Sequence, residues 1–173
     1  GGSWILSNES FLADSDVVDF LKVKASYGEV GNDRGIGSFP YITLFNTGWN
    51  QLDTTGVLAG GLNDPYLSWE KTATSNFGTE FGLFGGKLDG SIEYYERESV
   101  DLIYDKPVPP STGNSSVRTN VGALKNYGIE VVLSSQIVKT DDLSINAAVN
   151  FSTENNEITE LTQEEFISGT KKW

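Results

Sequence analysis

The chain has 173 residues, with 24 acidic against 12 basic side chains and a net charge of −12, a surplus that argues against nucleic acid as a partner. It holds no cysteine and no histidine, so disulfides, thiolate ligands, imidazole acid–base chemistry and Ser-His or Cys-His nucleophiles are absent by inventory. No cofactor or metal is expected, and the chain does not read as an enzyme.

Hydrophobic residues make up 38% of the chain, beside 19 glycines, nine Phe and seven Tyr, a mixture that suits many strands joined by turns. No apolar run approaches the roughly 20 residues of a membrane helix, whereas the strands of a barrel alternate and leave no such run. The opening Gly1, Gly2, Ser3, Trp4 lacks both a Met and the charged and apolar regions of a signal peptide, which reads as a piece of a longer protein.

After a partial strand at 3–6, residues 20–27 alternate, with Leu21, Val23, Ala25 and Tyr27 opposing Lys22, Lys24 and Ser26. Residues 31–68 read as a long loop in which only the run 41–45 is expected to pair locally. In 76–84, Phe77, Thr79, Phe81 and Leu83 oppose Asn76, Gly78, Glu80 and Gly82, and Gly85 and Gly86 then predict a hairpin turn. The return strand sets Leu88, Gly90, Ile92 and Tyr94 against Asp89, Ser91, Glu93 and Tyr95 and runs on toward Tyr104, before a second long loop over 105–121. Residues 128–134 place Ile129, Val131 and Leu133 on one face, 138–142 turn the chain, and in 143–152 Ile145, Ala147, Val149 and Phe151 oppose Asn146, Ala148, Asn150 and Ser152. Residues 154–172 read as a polar excursion holding a short helix at 163–167.

Short turns alternate with long loops, which is the pattern of an outer-membrane barrel. The fold class expected is therefore all-β, with antiparallel up-and-down strands forming part of a large transmembrane β-barrel, the whole of 1–173 being one partial barrel domain of about six strands. Leu21, Val23, Phe81, Ile92, Ile129, Val131, Ile145 and Val149 are expected to face lipid. Tyr27, Tyr94, Tyr95, Tyr104 and Trp69 fit an aromatic girdle at the headgroups. In the first long loop Tyr41, Phe45 and Trp49 are candidate substrate-facing residues, since such rings stack on sugars; the plainer reading is packing against the barrel mouth.

Other constellations are weaker. Glu93 with Glu96, or Asp101 with Asp105, has the composition of a glycosidase acid–base pair, but the odd spacing of Glu93 and Glu96 puts them on opposite faces of a strand. Asp14 and Asp16, or Asp141 and Asp142, complete no calcium loop and suit turns better.

Several stretches resemble one known family. Asn63-Asp64-Pro65-Tyr66-Leu67-Ser68-Trp69-Glu70-Lys71-Thr72 is similar to the Asn-Pro-x-Leu-x-Trp-Glu-Lys-Thr signature of SusC/RagA-type TonB-linked outer-membrane proteins, with Asp64 inserted. Leu21-Lys22-Val23-Lys24-Ala25-Ser26-Tyr27-Gly28-Glu29-Val30-Gly31-Asn32 is similar to a second family strand, with Lys24 where Arg is usual. Ile92-Glu93-Tyr94-Tyr95-Glu96-Arg97, Pro107-Val108-Pro109, Thr119-Asn120-Val121-Gly122 and Lys125-Asn126-Tyr127-Gly128-Ile129-Glu130 follow in the family order. The resemblance implies a barrel of about 22 strands with a plugged lumen, in the outer membrane of a Gram-negative bacterium, importing an oligosaccharide or peptide. It further implies a SusD-like lipoprotein partner and energy from TonB, received through a region outside these residues. The alternative is a soluble β-sandwich carbohydrate-binding module, which buries the same apolar faces against a second sheet.

Overall fold

The structure, a computed structural model, describes residues 1–34 and 36–161. Its strands are β1 (Gly2–Ile5), β2 (Val18–Asn32), β3 (Phe45–Thr47), β4 (Val57–Ala59), β5 (Leu62–Asn63), β6 (Glu70–Leu83), β7 (Leu88–Val100), β8 (Ile103–Pro107), β9 (Ser116–Asn120), β10 (Ala123–Lys139), β11 (Ser144–Ser152) and β12 (Asn155–Glu160). Two 3₁₀ turns, Leu6–Asn8 and Pro110–Thr112, are the only helical pieces among the described residues. The chain is all-β and almost wholly antiparallel; β5 beside β9 is a parallel exception of two residue pairs.

The main sheet has the order β1-β2-β6-β7-β10-β11, with β12 also pairing β10. That is the expected meander, and β2, β6, β7 and β10 are longer than the periodic segments that announced them. Hydrophobic alternation marks only the stretch with one greasy face; the ladder itself continues into polar sequence at both ends. The described residues divide into two compact units, one of 1–29, 73–98 and 125–157, the other drawn from 30–72, 99–124 and 158–161.

The first unit holds the alternating parts of the long strands and three compact connections, over 6–17, 84–87 and 140–143. At the β6–β7 hairpin, Phe84, Gly85 and Gly86 have φ of 60°, 68° and 76°. Two glycines reach that left-handed region without a Cβ penalty, and Phe84, just before them, enters it at some cost. The turn is tied back by Phe84 N–H to the Val17 carbonyl (2.9 Å) and Gly86 N–H to the Asp19 carboxylate (3.1 Å).

Across β10 and β11, Val131 faces Phe151, Leu133 faces Val149 and Ser135 faces Ala147, with a register shift before Val138 meets Ile145. β11 ends where Thr153 enters the ladder by its side chain. Its N–H donates to the Ile129 carbonyl (2.9 Å) while its hydroxyl accepts from the Ile129 N–H (3.1 Å). β12 then resumes pairing with β10, so part of the expected polar excursion is strand. Asn155, Asn156, Glu157 and Thr159 give β12 no apolar periodicity to read; its backbone partner makes it a strand. The helix expected at 163–167 lies outside the described residues.

The second unit corrects the reading of both long loops. In the first, residues 41–44 are not strand: Pro40 takes the second position of a turn closed by Ile42 N–H to Phe39 O (3.5 Å), and pairing starts only at β3, with Phe45 opposite Ala59. In the second, β8 and β9 form a hairpin, Ile103 opposite Asn120 through Pro107 opposite Ser116, and β5 adds to β9. The strand expected to run on to Tyr104 breaks at Asp101, whose φ of 57° turns the chain out of β7.

Candidate functional site

Side chains in the first unit sort by face. Lys24 Nζ reaches Glu93 at 2.7 Å and Glu80 at 3.3 Å, and Lys22 Nζ also reaches Glu80 at 3.3 Å. These contacts put alternate residues of β2, β6 and β7 on one polar face. Asn76 Nδ2 donates to Ser26 Oγ on the same face (3.2 Å). Further along it, Thr74, Asn76, Glu93, Tyr95, Arg97, Asn126, Glu130 and Glu154 line an open groove of about 400 Å³.

The opposite face is apolar and continuous. At Gly90 the space a Cβ would occupy is met by Phe81 and Leu133 from the strands on either side, so these share a face with Ile92, Ile129 and Val131 on their own strands. Pairing extends it to Val149, Phe151 and Ile145 on β11, and to Trp4, opposite Val23, on β1. The eight residues expected to face lipid thus fall on one side of one sheet. They are not covered there: Val149 is 63% exposed, Ile129 44% and Ile92 43%, and the only buried hydrophobic residue described is Ala123. A sandwich would have placed a second layer over them; the first unit holds no other sheet.

Alternation also separates the first candidate carboxylate pair, because Glu93 stands on the polar face with Lys24 while Glu96 stands on the other. There Glu96 accepts from the Tyr94 hydroxyl (2.9 Å) and pairs with Lys125 (2.9 Å), whose ammonium lies 5.8 Å from the Tyr127 ring centre. This cluster closes the apolar band on β7 and β10, as Tyr27 followed by Glu29 does on β2. The other three aromatics expected at the headgroups lie outside this apolar band. Tyr95 points into the polar groove, Tyr104 belongs to β8, and Trp69 packs beside Gly31. Tyr127 and Trp4, whose indole N–H donates to Glu9 (2.9 Å), are apolar-face aromatics that the sequence reading missed. Counting alternate positions back from Ile129 reaches Tyr127, so that signal was present.

In the second unit Tyr41, Phe45 and Trp49 are 55%, 63% and 63% exposed. Phe45 is fixed on β3, and no ring contact joins the three among the described residues. On the β8–β9 hairpin, Arg118 Nε and Nη2 donate to the Asp105 carboxylate at 2.9 and 3.1 Å. These bonds hold the Asp105 carboxyl below its ordinary value and raise the Arg118 guanidinium above its own.

Comparison with known proteins gives the same answer as the geometry. Residues 13–173 match the family described as TonB dependent receptor-like, beta-barrel. The chain is 35% identical over 162 residues to TonB-dependent receptor P39 of Formosa agariphila, covering 94% of this chain and 16% of that protein. It is 32% identical over 169 residues to TonB-dependent receptor SusC of Bacteroides thetaiotaomicron, covering 92% and 17%. Among solved structures it superposes on a chain of the RagAB peptide importer in the open-open state with a TM-score of 0.79 at 32% identity, again over 92% of this chain and 17% of the other. In the closed-closed state the TM-score is 0.74. The chain spans less than a fifth of the length of the curated relatives named here. A meander with one bare apolar face, alternating short and long connections, and this ordered set of motifs place the chain in the TonB-dependent receptor β-barrel family, of the SusC/RagA type.

Proposed function

We propose that this chain is a section of the wall of an outer-membrane importer, in which the apolar face meets hydrocarbon and the polar face lines the bore. The observation that carries the reading is the bare apolar face. In water, an uncovered strip of Phe, Leu, Ile and Val of this extent is an aggregation surface, whereas in a bilayer it is the required outer surface of a barrel. Leu21, Val23, Phe81, Ile92, Ile129, Val131, Ile145 and Val149 are the lipid-facing residues of this proposal. Lys22, Lys24, Glu80 and Glu93 then sit in hydrated surroundings where their charges cost little.

The cargo of the proposal is a glycan or a peptide. The exposed rings of Tyr41, Phe45 and Trp49 suit sugar stacking, while the RagAB relative is described as a peptide importer. A SusD-like lipoprotein partner and energy from TonB follow from the kinship with SusC and RagA. The test of the wall is a nitroxide or lipid-phase quencher series on the intact receptor in phospholipid. Labels at Val149, Ile129 and Ile92 report lipid contact, and labels at Asn150, Glu130 and Glu93 report water. Protein packing around the first set, with no lipid contact, would sink the proposal.

A further inference from the structure

Two of the family motifs, residues 63–72 and 119–122, have no role in the two faces. In the second unit they meet. Asp64 opens a turn, accepting the Tyr66 N–H on Oδ1 (2.9 Å), with Leu67 N–H on its carbonyl (3.2 Å), while its Oδ2 accepts the Thr119 hydroxyl. Asn63 Nδ2 donates to the Ile42 carbonyl, next to Tyr41. Asn120 uses its side-chain amide as a peptide unit would. Oδ1 accepts from Ser68 N–H (2.7 Å), and Nδ2 donates to the Ser68 carbonyl (2.9 Å) and the Asp101 carbonyl (2.7 Å). Asp101 is the residue at φ 57°, and Lys71 Nζ pairs with its carboxylate at 3.2 Å. Glu70 bridges two further segments, accepting from Asn32 Nδ2 (2.8 Å) on one oxygen and from Ile103 N–H (3.0 Å) on the other.

We infer that these residues form a single lock joining the loop of residues 33–69 to the loop of 101–122, and that its members open and close together. Two physical reasons support cooperation. Asn120 has both ends of its amide committed to backbone of both loops, so losing one bond misaligns the others. Asp101 is held in a left-handed conformation that a non-glycine residue leaves when unrestrained, and its restraints come from Asn120 on one loop and Lys71 on the strand after the other. Under the import reading, Asn120 is a positioning residue, holding the base of the loop that carries Tyr41, Phe45 and Trp49.

The test is amide hydrogen exchange of the intact receptor in outer-membrane preparations, followed at Ser68 and Ile103. Asn32→Asp sets a second carboxylate against Glu70 and breaks the lock at one end; Asn120→Asp removes both donated bonds at the other. Each substitution accelerates both amides together, by about tenfold, the equivalent of one or two lost hydrogen bonds. Adding Glu70→Gln to Asn32→Asp reverses donor and acceptor, keeps the Ile103 bond, and restores the original rates. The lock is overturned if each lesion accelerates only its neighbouring amide, or if the reversed pair fails to restore exchange. Because the readout involves no cargo or lipid, it can fail while the wall proposal stands, and the converse holds.

Discussion

In the first unit the backbone ladder holds the structure and side chains are left free to face two different surroundings. In the second, Asn63, Asp64, Glu70 and Asn120 bond directly to backbone and short strands hang from that scaffold. Under the proposed reading as a barrel wall, the difference follows from what each region has to do. A wall needs regularity along its length and chemistry that changes only across its thickness. The long connections have only short ladders of their own, so side chains must satisfy the backbone groups that those ladders leave unpaired.

The sharpest way to break the comparison is to put the wrong chemistry on one face. Val149→Arg on the apolar side is expected to cost about 2–4 kcal/mol, as charges do on the lipid face of a barrel. Asn150→Arg, one residue along on the polar side, is expected to cost little. Chemical unfolding of the receptor in phospholipid measures both; equal losses would mean that the two faces do not differ in surroundings.

Second in size is a change that attacks the ladder. A Cβ on Gly128 would stand 2.0 Å from the Thr153 carbonyl oxygen and 2.8 Å from the Tyr95 hydroxyl. Neither a strand carbonyl nor an aromatic ring seated in the glycine's hollow moves away cheaply, so Gly128→Ala is expected to cost about 1–3 kcal/mol. Gly28→Ala on β2 is the control, since nothing lies within 4 Å of its added carbon. Matching unfolding midpoints for the two variants would show that the Thr153 interruption is soft.

These two sites also show what the sequence made legible. Val149 could be assigned to its face because a period of two survives any uncertainty about partners. Gly128 could not, because its constraint comes from the interruption of the ladder at Thr153, a residue distant in the chain and ordinary in type. The same division explains β8, β9 and β12, whose strands exist through pairing rather than alternation. The residues of the motifs at 63–72 and 119–122 were legible as a family mark alone. Their partners are backbone groups, which carry no residue identity for a pattern to reveal.

A smaller effect probes the polar face. Lys24 bridges Glu80 and Glu93, with its side chain 36% exposed, so solvent screens the pairs and Lys24→Met is expected to cost under about 1 kcal/mol. The loss should shrink as ionic strength rises past about 0.15 M, where the screening length is about 8 Å. A cost independent of salt would mean that the lysine stem lying over Gly78, rather than its charge, is what matters.

The smallest effect lies in the second unit, at the Asp105–Arg118 pair. Because Arg118 lowers the folded carboxyl below its ordinary value near 3.8, the sign of the linkage is fixed. The pair's contribution is complete above that ordinary value and disappears as pH falls through the lower folded one, while Arg118 stays charged throughout. The carboxylate is 53% exposed, so the change should be local: amides of β8 and β9, where Asp105 and Arg118 stand directly opposite, lose protection in acid before the long strands do. Asp105→Asn removes the titrating group and is expected to flatten that dependence after correction for intrinsic exchange rates. An unchanged acid slope in the variant would assign the loosening to another carboxylate and leave the hairpin held by its ladder alone.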